Sequence, residues 1–237
     1  MPRSRTQIRQ AERIKFRRRG LAISRLEGFS DAVFAFALTL LVVSLEVPRT
    51  VDDLLVTLGG FLPFAFSFAL FVYIWYQHYT FFRRYGLEDT LTIILNSALL
   101  LVVLFFVFPL KFLFARTFAS DTLTFYQLRA VFTIYGLGFT AVFLILALLY
   151  ANAYRQRAAL ELNAVETFDT VSGVWGAVSM AAVGLGSVAL AQFPATINLA
   201  GIFYFAIAIV RTAFETLRAR ERRTLEARLL TDAAERK

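Results

Sequence analysis

The stretch RLEGFSDAVFAFALTLLVVSLEVP, residues 25–48, changes character part-way along. From Ala32 to Val43 it is alanine, phenylalanine, leucine and valine with a single threonine, Thr39. Ahead of that run stand Arg25, Glu27, Ser30 and Asp31. An apolar run fit for a bilayer therefore begins with four polar groups, and the rest of the chain must say what they are for.

Apolar residues make up 58% of the 237, Phe alone counts 26, and the mean hydropathy is +0.63. Soluble chains hold about 45–50% apolar residues. The excess lies in long runs, and about 20 mostly apolar residues cross the ~30 Å hydrocarbon layer. Six candidate spans emerge, at 28–47, 55–79, 90–114, 128–151, 170–192 and 195–213. The expected fold is an all-α integral membrane protein with six transmembrane helices. No secretory signal is visible, because the basic N-terminus leads into a long span without a small-residue cleavage site. The chain has no cysteine and one histidine, which argues against disulfides, thiolate metal sites and histidine clusters. No metal or cofactor is expected.

The net charge of +8 invites a nucleic-acid reading, but the distribution argues against it. With six spans both termini share one side, and 21 of the 25 Lys and Arg residues fall there. Only Arg49, Lys111, Arg116 and Arg129 fall on the other. This is the positive-inside pattern with cytoplasmic termini, in the plasma membrane of a cell. The basic ends are suited to anionic lipid headgroups.

Three regions follow: a basic cytoplasmic segment, 1–24, disordered or surface-bound; a six-helix membrane domain, 25–213; and a charged cytoplasmic tail, 214–237, either extending span six or forming a solvated helix. Span two closes with YIWYQHYTFFRRYG, an aromatic belt and an arginine anchor. Span three carries Asn96 and Ser97 near its start and Pro109 near its end. Span five places Gly173, Gly176, Ala177, Ala181 and Gly184 at helical spacing, which lets helices approach closely in lipid. No repeat of the kind many transporters show is evident.

Enzyme signatures are absent: no glycine-rich phosphate loop, no HExxH and no buried carboxylate pair. Arg211 and Lys111 lie near span ends and can snorkel, and Glu166 and Asp169 are expected to be wet. Arg25, Ser30 and Asp31 remain as the polar cluster tied to a membrane helix, where ionisable groups usually mark function or pairing. Two plainer readings stand beside this one. Ser30-Asp31 fits a helix start, with the carboxylate on the positive end of the dipole, and Arg25 with Asp31 fits an interfacial ion pair. Trp75 and His78, three apart on span two, fit ordinary belt chemistry.

RLEGFSD also fits the pattern RxxxFSD, with Arg25, Phe29, Ser30 and Asp31 in the required places. WYQH on span two, LNSALLL with Asn96, and Phe108-Pro109 on span three accompany it. In these features the chain resembles the prokaryotic branch of the transmembrane-protein-175 family of potassium channels, over all six spans. The resemblance implies a homotetramer whose first helices line a central pore, without a TVGYG filter. It also implies a polar network of the RxxxFSD residues with Trp75 and His78 near the cytoplasmic side, clamping the pore helix. Potassium ions would be what passes.

Helical phase gives an independent reading of the same helix. Phe36, Leu40 and Val43 recur at i, i+4 and i+7 and share a face. Periodicity alone makes this a packing stripe. The resemblance makes it the pore constriction, with Thr39 supplying a hydroxyl and Phe36 standing where relatives carry isoleucine or leucine. A ring of four phenylalanines is bulky enough that it could close such a pore by dewetting. The alternatives to a passive cation channel are a secondary transporter or proton-linked carrier, and a non-conducting membrane scaffold.

Overall fold

Ser24 and Glu27 start the first helix. Ser24 Oγ accepts from the Glu27 amide at 3.1 Å, and the Glu27 carboxylate accepts from the Ser24 amide at 3.0 Å. This reciprocal cap satisfies two amides that a helix start leaves bare. The computed structural model describes residues 16–42, 50–52, 55, 58, 61–116 and 123–235. In it α1 spans Arg25–Val42, α2 Phe61–Tyr85, α3 Thr90–Arg116, α4 Phe125–Arg155, α5 Ala164–Leu190, α6 Ile197–Ile202 and α7 Ala206–Glu235. A 3-10 turn, Phe203–Phe205, joins α6 to α7. Val43, the loop around Pro48, residues 1–15 and the side chain of Lys111 lie outside the described residues.

Ser30-Asp31 is thus not the helix start. The helix begins more than a turn earlier, and both residues lie within it. The α2 helix runs to Tyr85, past the expected end of span two. The run 195–213 is divided among α6, the 3-10 turn and the start of α7. The α7 helix then continues unbroken through the charged tail for 30 residues. By length and composition, three of the described helices can cross a membrane: Thr90–Leu110, Phe125–Arg155 and Ala164–Leu190. The α1 helix fails that test because Arg25, Glu27 and Asp31 all fall within its 18 residues.

The bundle is assembled along the chain. The α1 helix packs on α2 and α3, α3 on α4, α4 on α5, and α5 on α7. The tightest pairing, α4 against α5, depends on two glycines. A Cβ on Gly136 would lie 2.9 Å from the Gly184 carbonyl, and one on Gly184 would lie 2.9 Å from the Gly136 carbonyl. The two backbones touch where any side chain would separate them, as small residues permit in lipid. The core runs the length of the bundle through Phe34, Phe71, Ile74, Leu99, Phe143, Leu146 and Met180, all at most 2% exposed.

One end of the bundle gathers most of the described basic segments. Residues 16–24 are not a loose tail but a strap across this end. Arg19 reaches the Arg84 carbonyl with its amide (3.3 Å) and the Leu160 carbonyl with Nε (2.9 Å). Arg83 reaches the Leu21 carbonyl at 3.3 Å. Gly86, at φ +58°, lets the α2–α3 turn pass beneath the strap, where a Cβ would lie 3.1 Å from the Gly20 nitrogen. Glu166 is not wet. Its side chain is fully buried under the strap, 2.9 Å from Arg19 Nη2, and accepts from the Arg17 amide at 2.7 Å. Asp169 pairs with Arg222 of α7 at 3.1 Å with 16% of its side chain exposed.

Candidate functional site

The α1 helix has a buried face and an open one. Glu27, Ser30, Phe34, Ala37 and Leu41 face inward, at the three- and four-residue spacing of one helical stripe. The opposite stripe is open in the protomer: Phe29 is 62% exposed and Phe36 57%, and Ala32, Ala35, Thr39 and Val42 are exposed with them. Leu40 does not share this face fully. It lies one turn beyond Ala37 and beside Leu41, so it leans on the core and is half-buried. Within the protomer the open stripe therefore runs through Phe36 and Thr39, with Leu40 at its flank. The Thr39 hydroxyl donates to the Ala35 carbonyl at 2.9 Å, which leaves its lone pairs toward the open side.

Behind this face lies a directed chain of hydrogen bonds. Ser30 Oγ donates to the Leu26 carbonyl at 2.8 Å, so its oxygen can only accept from Asn96 Nδ2, 2.9 Å away. That orientation turns Asn96 Oδ1 to His78 Nε2 at 2.8 Å. His78 must then donate from Nε2 and carries its lone pair on Nδ1, for which no partner exists among the described residues. Ser30, His78 and Asn96 are each at most 1% exposed. His78 is enclosed by rings, with Phe34 at 5.6 Å and Phe82 at 4.6 Å between centroids. Three helices, α1, α2 and α3, are thereby joined through three polar side chains inside an apolar core, where an unmade bond is costly.

A second link lies nearer the surface. Trp75 Nε1 donates to Asp31 Oδ1 at 2.8 Å, and the indole stacks on Tyr79 at 5.6 Å. Trp75 and His78 are thus both bonded to named partners rather than serving only as belt residues. Arg25 and Asp31 make no ion pair in the protomer. Six residues along a helix leave the two side chains about 120° apart. Arg25 and Phe29 are exposed and stand outside these bonds; Ser30 and His78 meet through Asn96, while Asp31 and Trp75 form a separate pair.

At the α2–α3 turn Asp89 forms another polar knot. It accepts from Thr92 Oγ1 at 2.6 Å, from Gln156 Nε2 at 3.0 Å and from Asn152 Nδ2 at 3.3 Å. Burial raises the carboxyl's pKa, but these hydrogen bonds outweigh it and hold it below the ordinary value. Nothing in the spacing of these residues along the chain brings Asp89 and Asn152 together. By contrast, Ser24 and Glu27, and Asn163 and Glu166, are capping boxes legible in sequence as S-x-x-E and N-x-x-E. Among the described residues no group of His, Cys, Asp and Glu is placed to hold a metal.

The family described as endosomal/lysosomal potassium channel TMEM175 matches residues 25–109, from Arg25 to Pro109 in the last third of α3. Over 229 residues the chain is 39% identical to a potassium channel of Marivirga tractuosa, covering 87% of this chain and 92% of that one. The chain belongs to the TMEM175 potassium channel family. A potassium channel of Chamaesiphon minutus is 30% identical over 145 residues, covering 58% of this chain and 66% of its own. The crystal structure of a variant of the potassium channel MtTMEM175, bound to a nanobody–MBP fusion, superposes with TM-score 0.75 at 37% identity, covering 87% of this chain and 97% of its own. A lysosomal potassium-selective channel TMEM175 homologue from Chamaesiphon minutus superposes with TM-score 0.60 at 25% identity, covering 82% and 96%. The named relatives are channels and not enzymes. Family membership and the long apolar helices make this a membrane-embedded protein.

Proposed function

We propose that the protein is a passive potassium channel, with the open face of α1 lining a pore at the axis of a homotetramer. The observation that carries this reading is the open stripe of α1. Phe29 and Phe36 are more than half exposed on a helix whose other face is closed by Phe34, Ala37 and Leu41. A single copy of this stripe cannot enclose a pathway, and cyclic symmetry supplies the others. Phe36 forms the apolar constriction, Thr39 the hydroxyl ring above it, and Leu40 the flank; Val43 continues the stripe beyond the described residues. Phe36 offers a cation no ligands, so its ring sets the barrier by dehydration.

In this reading Ser30, Asp31, Trp75 and His78, with Asn96, hold the pore helix from behind, and Arg25 and Phe29 face the neighbouring subunit or the pore mouth. Six passes put both termini in the cytoplasm, and the common location of residues 16–24, Arg83, Arg84, Arg155 and Glu166 at one end supports that count. That basic end, with the tail 214–237, contacts anionic headgroups of the plasma membrane.

The test is potassium flux from liposomes containing the purified protein. A channel dissipates a potassium gradient passively and generates a potential. Saturating, coupled flux would assign a carrier, and no flux a scaffold. Mass measurement in nanodiscs tests assembly: four copies are expected, and a conducting monomer would exclude a pore on a symmetry axis.

A further inference from the structure

At the basic end a cavity of ≈ 520 Å³ opens between α2, α4, α5 and α7, with Phe16 of the strap at its edge. Its lining is divided by chemistry. Phe143, Leu146 and Ala177 give it an apolar wall, while Arg84, Arg211, Arg218 and Arg222 line it together with only two carboxylates, Asp169 and Glu215. Both carboxylates are already engaged, Glu215 with Arg211 at 2.6 Å and Asp169 with Arg222 at 3.1 Å.

Arg84 and Arg218 have no carboxylate partner within the lining. Arg84 lies 5.0 Å from the Phe16 ring centroid and has no ion pair among the described residues. Arg218 lies between the rings of Phe168 and Phe214, at 5.5 and 5.4 Å, and its carboxylate partner is Glu221, which is 59% exposed and does not line the cavity. A guanidinium laid on a ring has its plane fixed while its N–H edge stays available to an acceptor. Within the lining four guanidiniums thus stand against two carboxylates, with Glu221 and Glu226 pairing from outside it, around a volume that is apolar on one side and lies between helices of a membrane-embedded protein. Basic pockets between transmembrane helices suit the phosphate of an anionic lipid, with the acyl chains on the apolar wall.

We infer that this cavity is a binding site for the phosphate headgroup of an anionic phospholipid, held by Arg84 and Arg218. The inference deepens the headgroup contact proposed above by giving it a specific place and two named ligands. The strap contributes to the site, because Phe16 supports Arg84 and is itself held edge-on to Tyr85 at 5.6 Å. Release of residues 16–24 would therefore weaken lipid binding.

The experiment uses the full chain, purified and delipidated in mild detergent. Retention of added dioleoylphosphatidylglycerol is measured by native mass spectrometry and by its upward shift of the melting temperature. Dioleoylphosphatidylcholine and inorganic phosphate serve as the comparison ligands. The wild-type protein should retain phosphatidylglycerol in preference to phosphatidylcholine. Arg84→Gln and Arg218→Gln should each weaken this at least about tenfold, the effect of one charge-assisted hydrogen bond, while Arg84→Lys restores part of it. Arg220→Gln, on the exposed side of α7, should leave it unchanged.

Equal retention of the two lipids by the wild type would overturn the inference, and so would an equal loss in Arg220→Gln. A shift produced by inorganic phosphate alone would assign the site to soluble phosphates and overturn the lipid reading. Potassium flux from the same preparations separates failure of this site from failure of the channel.

Discussion

His78 Nε2 donates to Asn96 Oδ1 across 2.8 Å and joins α2 to α3 directly behind α1. Asn96 is the only described side chain bonded to both Ser30 and His78. Asn96→Ala strips the buried His78 Nε2–H of its acceptor, at about 1–3 kcal/mol, and leaves Ser30 with only its bond to the Leu26 carbonyl. Asp31→Asn keeps an acceptor oxygen for Trp75, and Asp31 is exposed, so it should cost no more than about 1 kcal/mol. Thermal melting of the two variants in detergent checks the order. Equal losses would show that the buried chain is no stronger a tie than the surface bond.

The strap depends on a buried carboxylate. Glu166 accepts from Arg19 Nη2 at 2.9 Å, from the Arg17 amide at 2.7 Å and from the Asn163 amide at 3.0 Å. Glu166→Gln removes the charge that holds the Arg19 guanidinium. Each ~1.4 kcal/mol of local stability lost speeds cleavage through the opened state about tenfold. Trypsin should cut the variant after Arg17, Arg18 or Arg19 at least about tenfold faster than the wild type. An unchanged digestion rate would mean that the strap is held by its backbone contacts alone.

These two ties differ in how far the sequence reveals them. Arg25, Phe29, Ser30 and Asp31 are legible as a motif, and His78 and Asn96 as polar residues in apolar runs. The bond between those two is not legible, because they lie on different helices and only packing sets their register. The phase of α1 is readable to within one residue. Periodicity alone allows Phe36–Leu40–Val43, and the structure turns the helix so that Leu40 packs partly against the core while Thr39 faces outward. Ser24 and Glu27 carry a capping box in plain sight, yet Ser30-Asp31, at the edge of the apolar run, competes with it as a helix start. Glu166 reads as wet in the sequence because it lies near a span end; what buries it is a strap 147 residues earlier in the chain.

Asp89 gives the stability a pH dependence of known sign. Its carboxyl titrates below the ordinary value in the folded chain. The stabilisation is complete above the unfolded-state value, about 3.9, and is lost as pH falls through the lower folded-state value. Asp89→Asn should flatten the melting profile of the protein below about pH 4. A wild-type-like slope in that variant would place the acid sensitivity in other carboxylates.

Phe36 sets the width of the proposed constriction. Phe36→Ala should raise potassium conductance and lower discrimination against sodium, because a wider and wetter ring lowers the dehydration barrier. Leu40→Ala should act more weakly on permeation and more strongly on melting, since Leu40 packs partly into the core. Single-channel currents and melting curves of both variants check this. The reverse order would return the pore-facing stripe to Leu40.

The central claim is that the open face of α1 lines the potassium path, and the absence of cysteine in the chain allows a direct test. Thr39→Cys places one thiol on that face. Leu101→Cys places one on α3, at a position 70% exposed in the protomer and outside the proposed pore. Potassium current is recorded before and after a positively charged methanethiosulfonate reagent. Thr39→Cys should lose most of its current and Leu101→Cys none. Unchanged current in a modified, tetrameric Thr39→Cys channel would contradict this.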